Sequence, residues 1–325
     1  MKRPRRQFLR LAAGVVWLPA ASRFAMAQTY PSRPVRIIVA AAAGGTTDIT
    51  ARLIGQWLTE RLGQTFFVEN RPGGNNNIGT EAVVRAPGDG YTLLLANSVN
   101  AINASLYERL SYNFVRDVAP VARISDSPTV MVVHPQFLAR SVPEFIAYAK
   151  ANPGKLNVGT SGAGTPARVV LELFKMATGL NFTRVDYRGG APALADLLGQ
   201  QVDVVFANLT DSLEYIRANR LRPLAIMSAT RSPALPEIPV IGDFVPGLET
   251  NGWFGIVAPK TTPTGIVERL NKEINAALAD PTIRVRFADL AATLVPGSPA
   301  EFGKFIADDT EKWAKVIRAA NIKLD

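Results

Sequence analysis

No cysteine occurs among the 325 residues, and there is one histidine. The first absence excludes a disulfide framework, a thiolate metal centre, a cysteine nucleophile and a lipid-bearing cysteine behind an export signal. The second leaves His134, beside Pro135 at the end of an apolar run, as the sole imidazole. A lone histidine in such a place reads as structural rather than catalytic. No serine sits in a nucleophile elbow, and no His/Asp/Glu cluster has metal-ligand spacing, so neither hydrolysis nor a metal centre is expected. Asp186, Asp196 and Asp203 read most simply as solvated or capping residues. No cofactor is called for. Beyond the N-terminal stretch no apolar run is long enough to cross a bilayer.

Charge of one sign is also scarcer than it first looks. The chain carries a net +9, but residues 1–27 hold six cations (Lys2, Arg3, Arg5, Arg6, Arg10 and Arg23) and no acid. Nine less these six leaves +3, which gives no footing for a nucleic-acid partner. The same stretch has the layout of an export signal: a basic start, a short apolar run over 11–21 and the small-x-small triplet Ala25-Met26-Ala27. Its Arg5-Arg6-Gln7-Phe8-Leu9 run has the twin-arginine form. The expectation is a signal peptide over 1–27, cleavage near Ala27 and a soluble periplasmic product.

What is present is a repeated design. Ile37-Ile38-Val39 has the continuous apolarity of a buried parallel strand, and it breaks at Gly44-Gly45. Thr46, Thr47 and Asp48 follow, residues whose oxygens suit a helix start, and Ile49, Leu53, Trp57 and Leu58 then recur at helical spacing up to Gly63. A strand, a glycine turn and a helix N-terminus form a ready anion site. The second copy lies far away in the chain. A strand over 156–159 runs into Thr160-Ser161-Gly162-Ala163-Gly164-Thr165, with Thr165 as N-cap and Pro166 as first helical residue. Counted as a P-loop from Gly159, this stretch finds Thr165 where lysine is required. Its glycine spacing also reverses the dinucleotide pattern, so nucleotide is not the expected ligand.

Around these units the chain alternates strand and helix. Strands are expected over 65–68, 91–96, 129–133, 183–187, 202–207, 224–227 and 253–258. Helices are expected over 78–86, from the Ser141/Glu144 capping box to 151, and over 191–198, 211–218, 264–279, 281–290 and 299–320. The segment 117–128, with two prolines, reads as an irregular crossing into a second domain, and 231–246 as the return. Asn97-Ser98 ends its strand on the side where ligands of parallel sheets bind, as Gly44-Gly45 does.

Seven motifs stand together in one order: Tyr30-Pro31-Ser32-Arg33-Pro34, Gly44-Gly45-x-x-Asp48, Val68-Glu69-Asn70-Arg71-Pro72-Gly73, Asp89-Gly90-Tyr91, Tyr187-Arg188-Gly189-Gly190-Ala191-Pro192-Ala193, Arg231-Ser232-Pro233-Ala234-Leu235-Pro236 and Trp253-Phe254-Gly255. By these the chain resembles the periplasmic substrate-binding proteins of tripartite tricarboxylate transporters, the Bug family, from Tyr30 to about Lys323. The resemblance implies an α/β, two-lobed Venus-flytrap fold of the type II-like periplasmic-binding-protein class, with lobe 1 over 28–125 and 229–325 and lobe 2 over 126–228. It implies a small carboxylate-bearing ligand between the lobes: a di- or tricarboxylate, an aromatic acid or an amino acid. It also implies membrane transporter subunits as partners and a monomeric receptor that is not an enzyme. Carried over by position, Gly44, Gly45, Thr46, Thr47 and Asp48 line one wall and Thr160, Ser161, Gly162, Ala163, Gly164 and Thr165 the other, with Asn97, Ser98 and Asn208 nearby. The chain departs from the family's pattern at Ala40 to Ala43 and at Arg168. Arg168 falls in a first helical turn, where the dipole disfavours a cation. Either its guanidinium is solvated, or it reaches the cleft and pairs with a second ligand carboxylate. A ligand-sensing component of a signalling system is the alternative to transport, and an exported α/β enzyme a lesser one.

Overall fold

Residues 30–162 and 164–323 are described by a computed structural model. The expected signal peptide and Ala163 lie outside the described residues. Strand β1 (Val35–Val39) leads into α1 (Thr46–Leu62), β2 (Phe66–Asn70) into α2 (Asn77–Val84), and β3 (Thr92–Asn97) into α3 (Ser98–Leu106). The one-turn α4 (Phe114–Asp117) precedes the long β4 (Val118–Val133). Then come α5 (Val142–Ala151), β5 (Asn157–Thr160), α6 (Pro166–Thr178), β6 (Thr183–Asp186) and α7 (Gly190–Leu198). They are followed by β7 (Val204–Asn208), α8 (Leu209–Arg217) and β8 (Arg222–Ile226). The chain closes with β9 (Asn251–Pro259), α9 (Thr264–Ala279), α10 (Pro281–Asp289), β10 (Thr293–Leu294) and α11 (Pro299–Ala319).

The strands run in the order β2-β1-β3-β9-β4-β7-β5-β6, with β8 and β10 both on β4. In one half β1 pairs in parallel with β2 and β3; in the other β5 pairs in parallel with β6 and β7. The two antiparallel strands β9 and β4 tie the halves together. Each parallel strand feeds a helix that covers the sheet, the arrangement expected of βαβ units.

The expected irregular crossing at 117–128 is instead part of β4. Its register against β9 shifts after Pro120 and again after Arg123, so the proline without an N–H sits where the ladder is already broken. The crossing therefore exists, but as a bulged strand shared by both halves. Helices α3 and α4 were not expected. Asn97 caps α3 from its own strand end, and Asn100 closes the reciprocal bond to the Asn97 backbone.

The apolar interior is divided by this sheet. Phe145, Phe174 and Phe206 lie in one cluster with Met131 and Val158. Ile38, Leu94, Trp253, Phe302 and Trp313 lie in another, beneath α11. Val169 of α6 is buried in that second cluster, so the helix begun in one half packs its flank against the other. The tail helix is pinned by Trp253, whose indole Nε1 donates to Asp309 at 2.7 Å and whose ring meets Phe302 and Phe305 edge-on.

Candidate functional site

The carboxyl ends of β1, β3, β5 and β7 all open on one cavity of about 580 Å³ between the halves. From the first half, Ala40 to Ala43 and Gly45 to Thr47 form a wall at the start of α1, and Asn97 and Ser98 form the floor. Gly73-Gly74-Asn75-Asn76 adds a rim. From the second half come Ser161, Gly162 and Thr165 at the start of α6, Arg188 to Pro192 at the start of α7, and Asn208 and Asp211 at the start of α8.

The first wall is held rigid by polar contacts behind it. Asp48 faces away from the cavity and accepts from Gly44 N (3.0 Å), Arg52 Nε (2.9 Å) and Asn70 Nδ2 (3.0 Å). Burial pulls its carboxyl upward, but those bonds outweigh it and hold the group below its ordinary value. Asn97 donates to Thr47 Oγ1 (3.3 Å) and accepts from Asn76 Nδ2 (3.2 Å), tying rim, floor and wall together. Asn208 Oδ1 and Ser98 Oγ, from opposite halves, both lie close over Gly252, where an added Cβ would stand 3.5 Å and 3.8 Å from them.

Several expected residues therefore stand on the cavity: Gly45, Thr46, Thr47, Asn97, Ser98, Ser161, Gly162, Thr165 and Asn208. Others lie behind it. Gly44 turns the chain at φ +85° and Asp48 braces that turn. Thr160 is buried, with its hydroxyl donating to Asp186 at 2.6 Å. Gly164 packs beneath Asn75 and Asn103.

Neither sequence reading of Arg168 describes it. Its side chain is 3% exposed and its guanidinium bonds Glu172 (3.3 Å), Asp186 (3.2 Å) and the Lys323 carbonyl (3.0 Å). Burial lowers its affinity for a proton while Asp186 and Glu172 oppose that shift. Arg184 joins the same two acids, at 2.6 Å to Glu172 and 3.1 Å to Asp186. The acids expected to be solvated are engaged as well: Asp196 accepts from Tyr187 Oη (2.6 Å) and Asp203 from Asn157 N (2.7 Å). His134 is structural, with Nδ1 accepting from Gln136 N.

Among the cavity residues not expected as site residues are Asn75, Asn76, Asp186, Tyr187, Arg188 and Asp211. Arg188-Gly189-Gly190 repeats the grammar of Gly44-Gly45, a turn between strand and helix, and was legible on that ground. Asp211 carried no signal, since an acid in a first helical turn reads as an ordinary dipole partner. Its Oδ1 instead accepts from Thr46 N (3.0 Å) and Thr46 Oγ1 (2.7 Å), across the cavity at the start of α1.

Two α/β halves joined by crossing strands, with strand ends and helix starts facing a shared cavity, define a solute-binding receptor of the two-lobed periplasmic type. A family model described as "Tripartite tricarboxylate transporter family receptor" matches residues 50–322. Protein BugT of Bordetella pertussis is 38% identical over 301 residues, 92% of each chain. The R. palustris protein Rpa4515, solved with adipate, superposes with a TM-score of 0.87 at 36% identity over 90% of this chain and 99% of that one. MatC from Rhodopseudomonas palustris, solved with bound malate, gives 0.84 at 28% identity over 89% and 100%. The chain belongs to the tripartite tricarboxylate transporter receptor family. Its members are solute-binding receptors, not enzymes.

Proposed function

We propose that this protein captures a small carboxylate-bearing solute between its two lobes and presents it to the membrane subunits of a tripartite transporter. The observation that carries the reading is the single cavity walled by the starts of α1, α6, α7 and α8, with few charges on its lining. Small polar groups and backbone at helix starts are suited to a carboxylate. The adipate and malate held by Rpa4515 and MatC support that ligand class. Of the expected site residues, those on the cavity are assigned to the ligand site: Gly45, Thr47, Asn97, Ser98, Ser161, Gly162, Thr165 and Asn208 for contact, and Thr46 on its edge with both donors on Asp211. Lobe 1 is read as 28–125 with 229–325 and lobe 2 as 126–228, the break in β4 supporting the first boundary. Residues 1–27 are read as the export signal, which N-terminal sequencing of periplasmic protein would check.

A thermal-shift screen of carboxylates tests the reading. A true ligand at about 100 times its dissociation constant adds about 2.7 kcal/mol to the unfolding free energy, whereas a matched alcohol adds nothing. Failure of every mono-, di- and tricarboxylate, aromatic acid and amino acid to raise the melting temperature would overturn it.

A further inference from the structure

The cavity's charges are unevenly satisfied. Among the described residues its lining carries one cation, Arg188, and two acids, Asp186 and Asp211. Asp186 is already compensated by Arg168 and Arg184. Arg188 is exposed in its turn, and its side chain makes no ion pair or hydrogen bond among the described residues. Asp211 is half-used: Thr46 gives both its donors to Oδ1, and no donor among the described residues reaches Oδ2. That second oxygen lies against Gly190, where an added Cβ would stand only 2.1 Å from it.

Two consequences follow from chemistry alone. The backbone N–H and hydroxyl of Thr46, the donors a ligand carboxylate would take at the start of α1, are occupied by the protein's own carboxylate. A second ligand carboxylate placed there would also face Asp211 as a like charge, and Arg188 is the one cation on the lining among the described residues, so it cannot fully serve both ends of a diacid. A ligand ammonium or other donor at that place would complete the bonding of Oδ2 and compensate the acid.

We propose that Asp211 determines specificity, directing the cavity toward carboxylates that carry an ammonium group at their far end and against diacids of the same length. Arg188 takes the ligand carboxylate and Asp211 Oδ2 the ammonium. Arg188 and Asp211 line the same cavity without pairing with each other, which leaves each open to a ligand group. The inference rests on the reading of the cavity as a carboxylate site.

Calorimetry with matched pairs tests it: 4-aminobutanoate against glutarate, 5-aminopentanoate against adipate, and 4-(aminomethyl)benzoate against terephthalate. Each ammonium compound should bind more tightly than its diacid. Asp211→Asn retains the shape and an acceptor for Thr46, and should weaken the ammonium compounds about 10- to 100-fold while leaving or improving the diacids. Arg188→Gln should weaken both members of a pair. Tighter diacid binding by the native protein, or an unchanged ratio in Asp211→Asn, overturns the assignment and leaves carboxylate capture standing. If no carboxylate of either kind binds, the assignment falls together with the reading of the site.

Discussion

Removing the Arg168 guanidinium would leave Arg184 as the one cation on Glu172 and Asp186 among the described residues and strip the Lys323 carbonyl of a donor. Breaking a buried pair by deleting one partner is destabilising by roughly 3–5 kcal/mol, and the retained arginine sets this case at the lower end. Arg168→Gln should therefore shift the urea midpoint strongly while ligand affinity stays within about threefold, because the side chain does not line the cavity. A selective loss of affinity without loss of stability would contradict that placement. Asp211 makes the converse case. Burial pushes its carboxyl above the ordinary 3.8, against the two bonds from Thr46. A carboxyl so raised holds its proton more tightly folded than unfolded, so its contribution is fully present below pH 3.8 and is lost as pH rises through the raised value. The difference in unfolding free energy between the native protein and Asp211→Asn should decline across that interval and level off above it. A difference independent of pH would show that Asp211 titrates as it does in the unfolded chain.

Among the elements, the turn before α6 decides how closely the halves approach. A Cβ on Gly164 would stand 1.9 Å from Asn75 Nδ2 and 2.3 Å from Asn103 Oδ1. Those atoms cannot simply swing away. They bond each other at 2.9 Å, and Asn103 Nδ2 also holds the Asn75 carbonyl (2.6 Å) and Asn77 Oδ1 (3.0 Å). Gly164→Ala should thus push α6 off the rim and weaken ligand at least about tenfold, a clash of the size that overpacking produces. Calorimetry reads the affinity. The melting temperature of the ligand-free protein should fall much less than in Arg168→Gln, since each half keeps its own core.

For the molecule as a whole, the side-chain bonds that cross between halves among the described residues include Thr46 to Asp211, Thr210 to the Leu290 carbonyl, and Arg168 to the Lys323 carbonyl. Apolar contacts cross as well: Val169 lies in the cluster under α11, and Ile241, Val245 and Leu248 pack with Phe145 and Phe174. Such an interface suits lobes that part and close around a solute, with β4 and β9 as the connection. Small-angle scattering should show a smaller radius of gyration with saturating ligand than without. An unchanged radius would argue for entry through local motion of the rim at Gly73 to Asn76 instead.

The pattern of strand, glycine turn and helix was readable from the chain because it is written in local chemistry. Apolar runs specify β1 and β3, Thr165-Pro166 opens α6 as expected and Gly179 ends it, and Ser298 with Glu301 caps α11. Those signals act over a few residues, so they survive without knowledge of the rest, and they also carried the family's motifs. Tertiary structure alone decided what faces what. Pro120 and Pro128 looked like loop, yet β9 supplies a partner that makes a strand of them. Arg168 looked destined for solvent or ligand, yet Glu172, Asp186 and the tail enclose it. Asp211 gave no sign beyond being an acid in the first turn of its own helix, yet it accepts from the start of α1, 165 positions earlier in the chain. In each case the deciding partner is remote in sequence, and a side chain's direction is set by the packing that brings that partner within a hydrogen bond's reach.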